Sequence, residues 1–386
     1  MESRPSSSGR GRFALTDAQR LAWLRLIRSD NVGPATFRDL VNHFGSATAA
    51  LDALPDLARR GGVAARIRVA TEEKARRELA AAERIGARFV GLGEPDYPAL
   101  LRGIDHPPPL ICLRGDLQSE SGSPVAVVGA RNASITGQKL ANRLAGELAE
   151  RGHPVVSGLA RGIDAAAHRA AIERGTIAVF AGGLDCPFPE EHAGLAEDIV
   201  AGGGALVSEM PLGWQARAKD FPRRNRLIAG LSLGVLVVEA ARRSGSLITA
   251  RIANEAGRFV FAVPGSPLDP RADGTNHLIK QGATLVTTVD DIVDVLRPLA
   301  GDEPQAPFHA GEDDDDWTHG QPAAIADPDE MVRARIVAAL GPAPVEIDDI
   351  VRFTGASVAE VQLVLLELDL ARRLARHPGG RVSLLL

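Results

Sequence analysis

Short apolar runs recur through the middle of the chain, and most of them lead into glycine-rich or serine-rich segments. Strands that are apolar on both faces and alternate with helices are typical of a parallel sheet covered on both sides. The pattern therefore predicts an α/β fold with a Rossmann-like, doubly wound and mostly parallel sheet over residues 88–300. The runs lie at residues 125–128, 155–157, 177–181, 205–208, 235–239, 259–263 and 285–287, and residues 88–92 and 110–114 extend the sheet.

Helical periodicity replaces these short runs in the N-terminal part of the chain. Residues 1–15 predict a disordered tail, and residues 16–87 predict a small helical domain. Residues 31–36 form a glycine-containing turn between two helices, which resembles a helix-hairpin-helix. Such a hairpin can offer backbone N–H groups to a DNA phosphate, but a helical hairpin that only packs has the same pattern.

Residues 329–386 predict a winged helix, in which three helices precede a hairpin. The third helix carries Glu360, Glu367 and Asp369, and no lysine or arginine precedes Arg372. A helix that enters a DNA major groove normally brings cations. We therefore expect this module to contact protein first and duplex DNA second.

The amino-acid composition is that of a globular protein and does not by itself indicate a function. The chain is 45% hydrophobic and 24% charged, which is ordinary for a globular protein. Its apolar runs are too short for a membrane helix and its first residues lack a signal core, so we expect a cytoplasmic protein without membrane contact. Cys112 and Cys186 form no CxxC, which argues against structural zinc, and no cofactor is expected. The acidic run at residues 312–316 predicts a solvated linker over residues 301–328.

Positive charge is concentrated in one segment, although the whole chain has a net charge of −5. Between Gly213 and Gly230 a single acid, Asp220, accompanies a set of cations beside Trp214 and Phe221. Cations suit phosphates and flat rings suit bases, so this combination fits a flexible anionic polymer. The cations are Arg217, Lys219, Arg223, Arg224 and Arg226.

Unusual loops follow the predicted strands, at the edge of the sheet where α/β proteins bind ligands. The first loop, residues 129–134, reads GARNAS and has neither the GxGxxG nor the Walker pattern, so a dinucleotide site is not supported. Arg131 in this loop is well placed for a phosphate. The loops at residues 157–164 and 244–250 add glycines and hydroxyls that favour close approach to an anion.

One group of residues would also suit a hydrolase. Asp164 and His168 lie four residues apart on one helical face, with Ser157 nearby in the sequence. They could form half of a metal site or a loose triad. The alternative is that Asp164 caps its helix and His168 packs nearby, and this is favoured because no third ligand is apparent.

These motifs together closely resemble the bacterial DNA-processing protein A family, also called Smf. The matching segments read VVGAR at residues 127–131, SGLARGID at 157–164, FPRRNRLIAGLS at 221–232, and VVEA at 237–240 followed by SGSLITA at 244–250. Their order and spacing agree over about residues 90–290.

The resemblance implies a non-catalytic protein that binds single-stranded DNA, protects incoming strands during natural transformation and loads the RecA recombinase onto them. It also implies a homodimer formed through the Rossmann-like domain. Arg131 would grip a phosphate, Lys219, Arg224 and Arg226 would line a basic pocket, and Phe221 would stack on a base. The full set assigned to DNA binding is Gly129, Arg131, Ser157, Gly158, Lys219, Phe221, Arg223, Arg224, Asn225, Arg226, Gly245 and Ser246.

Two other functions stay open at this point. A nucleotide phosphoribohydrolase of the lysine-decarboxylase-like group would share the sheet, but its Pro-Gly-Gly-x-Gly-Thr loop and the glutamate after it are missing from residues 244–249. A transcriptional regulator would use the winged helix, and the acids of its third helix argue against that.

Overall fold

The computed structural model describes residues 14–62, 67–117, 123–297, 328–377 and 379–385. These residues divide into two compact units. The central unit holds the described residues from Glu78 to 297, and the terminal unit holds those from Leu15 to Arg77 together with those from 328 onward. The linker predicted at residues 301–328 and the tail predicted at 1–15 lie almost entirely outside the described residues.

The N-terminal part is helical, as predicted. The first helix starts where the Thr16 hydroxyl accepts from the Gln19 N–H at 3.2 Å and the Gln19 side chain accepts from the Thr16 N–H at 2.9 Å, a reciprocal cap. Asn31, at a φ of 64°, turns the chain before Pro34 opens the second helix. The helices are α1 (Asp17–Ile27), α2 (Pro34–Phe44), α3 (Ala47–Arg60) and α4 (Glu72–Arg84).

The central unit is built on one sheet, which in the described residues has nine strands in the order β1-β2-β6-β5-β4-β3-β7-β8-β9. From β3 onward every neighbouring pair runs parallel, whereas β1 and β2 add an antiparallel edge. The strands are β1 (Ala87–Gly91), β2 (Leu110–Gly115), β3 (Val125–Val128), β4 (Val155–Ser157), β5 (Thr176–Val179), β6 (Ala205–Ser208), β7 (Gly234–Val237), β8 (Phe259–Ala262) and β9 (Thr284–Leu285).

Helices cover both faces of this sheet, which confirms the predicted doubly wound α/β class. Along β3, Val125 and Val127 enter one hydrophobic core, and Ala126 and Val128 enter the other. Alternate residues of a strand point to opposite faces, so a strand buried on both sides must be apolar throughout. The helices are α5 (Ala99–Arg102), α6 (Ile135–Glu150), α7 (Ile163–Ala171), α8 (Ala193–Ala201), α9 (Asp220–Gly230), α10 (Gly245–Glu255), α11 (Asp273–Lys280) and α12 (Asp290–Leu296).

The C-terminal part is a winged helix, also as predicted. Its three helices pack on an antiparallel sheet with the order β10-β12-β11, of which β10 was not predicted because it has only two residues. The elements are α13 (Glu330–Ala339), β10 (Val345–Glu346), α14 (Ile347–Thr354), α15 (Val358–Leu370), β11 (Leu374–His377) and β12 (Arg381–Leu384).

Candidate nucleic-acid interface

The carboxyl ends of β3, β4, β5 and β6 border an open cleft of about 1150 Å³. Loops that follow these strands and the start of α9 line it, which is the edge where parallel sheets hold ligands. The lining residues are Arg131, Asn132, Gly158, Ala160, Arg161, Asp185, Cys186, Pro187, Phe188, Pro189, Glu190, Glu191, Ala193, Gln215, Phe221 and Arg224.

Arg224 forms a buried cationic part of this lining and is only 5% exposed. Its Nη1 donates to the Val179 carbonyl at 3.2 Å, whereas its Nε has no hydrogen-bond partner among the described residues. Burial lowers the pKa of Arg224 to about 10, so the guanidinium stays charged at neutral pH. A Cβ on Gly158 would lie 1.5 Å from this Nη1, and the missing side chain is therefore what admits Arg224.

Asp164 is the buried acid that offsets this charge. Burial raises the pKa of Asp164, and the Arg224 cation opposes that rise. The carboxylate accepts from the Gly158 and Ala160 N–H groups, at 3.2 and 3.4 Å. Asp164 therefore fixes the loop after β4 and stabilises the neighbouring guanidinium.

His168 and Ser157 are structural rather than catalytic. The His168 Nδ1 lies 2.8 Å from the Thr176 hydroxyl, and burial together with the Arg224 charge lowers the pKa of His168 to about 3. The Ser157 hydroxyl donates to the Val127 carbonyl at 2.6 Å and is fully buried. The expectation that Ser157 offers its hydroxyl to a ligand is therefore wrong. Among the described residues no group of three or more His, Cys, Asp or Glu could hold a metal ion.

The aromatic side of the cleft contains a residue that the sequence analysis missed. Phe221 contacts both Arg131, whose Cζ is 4.9 Å from the ring centroid, and Phe188, whose ring is 5.3 Å away at 62°. Phe188 is 49% exposed. Its place between Pro187 and Pro189, in a loop after a strand, was a signal available in the sequence, because such a segment rarely buries a large ring deeply.

Most of the clustered cations do not face the cleft, which corrects the predicted basic pocket. Arg223 Nε donates to Glu209 at 2.8 Å, and Arg226 binds the other oxygen of this buried carboxylate. Lys219 is exposed just before α9 and is not part of the lining. Arg217 stacks on Trp214, with its Cζ 4.5 Å from the ring. Arg226, predicted to line the pocket, and Arg223, predicted to contact DNA, both bind the single Glu209 carboxylate and lie outside the cleft lining.

Asn225, Gly245 and Ser246 lie together beside the cleft lining rather than in it. Asn225 is buried and its side-chain amide donates to the Gly245 carbonyl at 3.3 Å, which ties α9 to the start of α10. The Ser246 hydroxyl lies 2.7 Å from that of Ser244, which caps α10. Of the three, Gly245 is exposed.

The start of α6 is the place where a dinucleotide fold would hold a phosphate, since β3 and β7 flank the point where the strand order reverses. Here the Glu239 carboxylate occupies it and accepts from the Ser134 N–H at 2.9 Å and from the Ser134 hydroxyl at 2.5 Å. A Cβ on Gly137 would lie 2.3 Å from Glu239 Cδ. Gly129 is likewise needed for packing, since its Cβ would lie 2.6 Å from Ile163 Cγ1. Gly129 therefore has a packing role, and its contact with a ligand stays a prediction.

The chain is therefore a three-module protein. Along the sequence, a helical module precedes a Rossmann-like domain with a cationic, aromatic-lined cleft, and a winged-helix module follows it. Family models for three DNA-processing modules match the chain in the same order. They describe a DNA recombination-mediator protein A over residues 88–297, a DprA-like N-terminal HHH domain over 17–81 and a DprA winged helix domain over 320–380. The chain therefore belongs to the DprA/Smf family of DNA-processing proteins.

Individual relatives agree with this assignment. Protein Smf of Escherichia coli is 43% identical over 292 residues, which are 74% of each chain. The X-ray structure of DNA processing protein A from Streptococcus pneumoniae matches with a TM-score of 0.58 and 34% identity, over 73% of this chain and 98% of that one. The structure of DNA processing protein A from Helicobacter pylori, which gives insight into the single-stranded DNA binding mode of that protein, matches with a TM-score of 0.50 and 27% identity. The match covers 54% of this chain and 96% of that one. Within the described residues, no helix combines the length and apolarity that a membrane span requires.

Proposed function

We propose that this chain binds single-stranded DNA in the cleft at the carboxyl ends of β3–β6, without catalysing a reaction. Arg224 carries the proposal, because its guanidinium lines the cleft and a guanidinium binds a phosphate strongly. Arg131 supplies a second cation, while Phe188 and Phe221 supply rings for bases. The single-stranded DNA binding described for the Helicobacter pylori relative supports the same ligand.

Fluorescence anisotropy with a short oligothymidylate tests this proposal. We expect Arg131→Ala to weaken binding by about 10-fold or more, since a hydrogen bond to a charged group contributes about 1.5–3 kcal/mol. Its salt dependence should also become shallower, by a slope of about 0.7 for each phosphate that the protein no longer neutralises. Phe188→Ala should weaken binding by about 1–3 kcal/mol if one base stacks there.

Arg297→Ala is the matched control, because among the described residues this exposed arginine of the same unit pairs with the neighbouring Asp294. It should leave the dissociation constant unchanged. Equal affinity of wild type and Arg131→Ala, or binding that does not respond to salt, would refute the assignment of the cleft.

Some residues predicted to bind DNA lie outside the cleft lining, and we propose that they contact only longer strands. Lys219 and Gly245 are exposed, so we propose that a longer strand reaches them after leaving the cleft. An oligonucleotide that only fills the cleft should then bind Lys219→Ala as tightly as wild type, whereas a longer one should bind it more weakly. Equal affinity for both lengths would remove Lys219 from the interface.

We propose further that the protein acts in the cytoplasm, where it protects incoming strands during natural transformation and loads RecA onto them. Membership of the DprA/Smf family supports this finer role. DNA-dependent ATP hydrolysis by RecA on strands coated with single-strand-binding protein would measure it. Wild type should stimulate that hydrolysis and Arg131→Ala should not. Tight DNA binding without stimulation would reject RecA loading and leave the binding proposal intact.

The proposed homodimer would use the β9 edge of the sheet. Leu285 is 46% exposed on this last strand, and residues 274–283 lead directly into it. An uncovered strand edge offers unpaired backbone groups to a second chain. Leu285→Asp should shift the mass in light scattering from dimer to monomer, whereas Ile135→Asp, at an exposed apolar position on α6, should not. A monomeric wild type would overturn the proposal.

A further inference from the structure

The third helix of the winged helix, α15, is buried on two sides. Val361, Val364, Leu365 and Leu368 belong to the core of the winged helix itself. Leu363, Leu366 and Leu370 are also at most 4% exposed but lie outside that core, and α15 packs against α2 and α3 of the same terminal unit. A helix with apolar residues on two faces has to bury both of them. In this unit α15 is therefore covered by the N-terminal helices.

The approach between α3 and α15 is close at the backbone. A Cβ on Gly61, which follows α3, would lie 2.0 Å from the Glu367 carbonyl oxygen. The Glu367 side chain is 2% exposed, and Arg333 donates to it at 3.2 and 3.3 Å from the winged-helix side. Arg60 of α3 lies 3.9 Å from the same carboxylate. Glu367 is therefore a buried acid that interacts with cations from both modules and links them.

Polar contacts continue along the edge of this interface. The Thr36 hydroxyl donates to Asp369 at 2.9 Å across 333 residues of sequence. Arg376 bridges the two modules, since it donates to Asp369 at 3.1 Å and to Asp39 of α2 at 2.7 Å. The Asn31 amide donates to the Leu370 carbonyl at 2.7 Å. Asn31 and Thr36 lie in the hairpin turn and in the first turn of α2, the part that would face a phosphate in a DNA-binding hairpin.

Among the described residues, the outer face of α15 and the start of α2 are therefore not open to duplex DNA. The groove-reading position of the winged helix is filled by leucines and acids, and duplex binding requires cations instead. At the start of α2, where a helix N-terminus favours an anion, the Asp369 carboxylate already binds Thr36.

We propose that the outer face of α15 is a protein-binding surface whose partner is the α2–α3 hairpin of the same chain. The winged helix and the N-terminal helices form a non-covalent clasp, defined by α2, α3 and α15, that does not bind duplex DNA. This inference is independent of single-stranded DNA binding, which is assigned to the central unit.

Cleavage of the folded full-length chain tests the clasp. A protease site is introduced into residues 301–327, the protein is cut, and the products are separated by size exclusion at micromolar concentration. The C-terminal fragment should co-elute with the rest of the chain. Separation of the two wild-type fragments would overturn the proposal.

Two matched glycine variants show whether α3 and α15 hold the fragments together. Gly61→Ala should weaken fragment association by at least about 10-fold, since overpacking typically costs about 1–3 kcal/mol. Gly33→Ala is the control, because a Cβ there meets nothing within 4 Å. Circular dichroism should show unchanged helix content in both. Equal association of both variants would remove the α3–α15 contact from the proposal.

Addition of a short DNA duplex distinguishes a clasp that does not bind DNA from a winged helix that reads DNA through α15. The cut complex should stay intact, and the amide exchange of α15 should not change. Release of the C-terminal fragment by duplex would show that DNA and the hairpin compete for α15, which contradicts the proposal.

Discussion

Arg224 depends on the side chain that Gly158 lacks, and this dependence gives the most local prediction. Gly158→Ala must displace the guanidinium, because the added Cβ would lie 1.5 Å from Nη1. We expect a loss of about 1–3 kcal/mol in the free energy of unfolding, the usual cost of overpacking. Oligonucleotide affinity should fall with it. Urea unfolding and anisotropy measure the two effects.

Gly194→Ala provides the comparison, since a Cβ at Gly194 meets nothing within 4 Å and the residue lies on α8. This variant should be as stable as wild type and bind DNA equally well. Unchanged DNA binding by Gly158→Ala would mean that Arg224 does not need its observed position.

Glu239 carries a second residue-level prediction, because its carboxylate fills the anion position at the start of α6. Glu239→Ala should free the Ser134 donors and create a weak site for free phosphate groups. Millimolar AMP or inorganic phosphate should then raise the melting temperature of the variant and leave wild type unaffected. Glu255→Ala removes an exposed carboxylate paired with Arg251 and should behave like wild type. A variant as insensitive to phosphate as wild type would contradict this role of Glu239.

The cation cluster shows what could not be predicted from the sequence for individual residues. Residues 217–226 predicted a positively charged surface, but pairing decides which charges remain available. Glu209 lies fourteen residues before Arg223, and only the tertiary fold brings the two side chains together. Sequence identified Arg131 and Phe221 in the cleft for the right reason, since each lies in a loop or helix start after a strand.

The contact between α7 and β5 gives a prediction at the level of elements. His168 of α7 bonds to Thr176, the first residue of β5, whose hydroxyl donates to the Val155 carbonyl at 2.7 Å. The His168 Nδ1–H is then the donor to Thr176, and the ring stays neutral. Its pKa is about 3 in the folded protein against 6.5 when unfolded, so the unfolded chain binds more protons between these values. Stability from this contact is therefore present above pH 6.5 and is lost as the pH falls.

Urea unfolding at pH 7, 6 and 5 measures this loss. The slope attributable to His168 should approach at most about 1.4 kcal/mol per pH unit. His168→Asn keeps a donor near Thr176 but cannot titrate, so its stability should fall less between pH 7 and 5. Asp164 is present in both proteins and cancels in the comparison. Parallel pH profiles would rule out His168 as a source of acid sensitivity.

Elements were predictable where periodicity alone decides them. The seven parallel strands follow from short runs that are apolar on both faces, and the three winged-helix helices follow from helical periodicity. The acids of α15 predicted a protein contact, but the sequence could not indicate α2 and α3 as the partner. That pairing joins segments more than 300 residues apart, and no local signal reports it.

At the scale of the whole molecule, the two units have separate hydrophobic cores, so we expect two transitions in calorimetry. The proposed DNA site lies in the central unit, and a ligand stabilises only the unit that binds it. Oligothymidylate at about 100 times its dissociation constant should stabilise that unit by about 2.7 kcal/mol. For a unit of this size the shift is about 5–10 °C in one transition, with the other unmoved.

Leu366→Ala assigns the transitions, because this buried residue belongs to the terminal unit and should lower only its melting temperature. At the same oligonucleotide concentration, an Arg131→Ala variant that binds about 10-fold more weakly should show about half of the shift or less, without moving either transition in its absence. A rise of the Leu366-sensitive transition on DNA addition would place the binding site in the terminal unit. Because α2 and α15 are occupied by each other there, such a result would contradict both the cleft and the clasp.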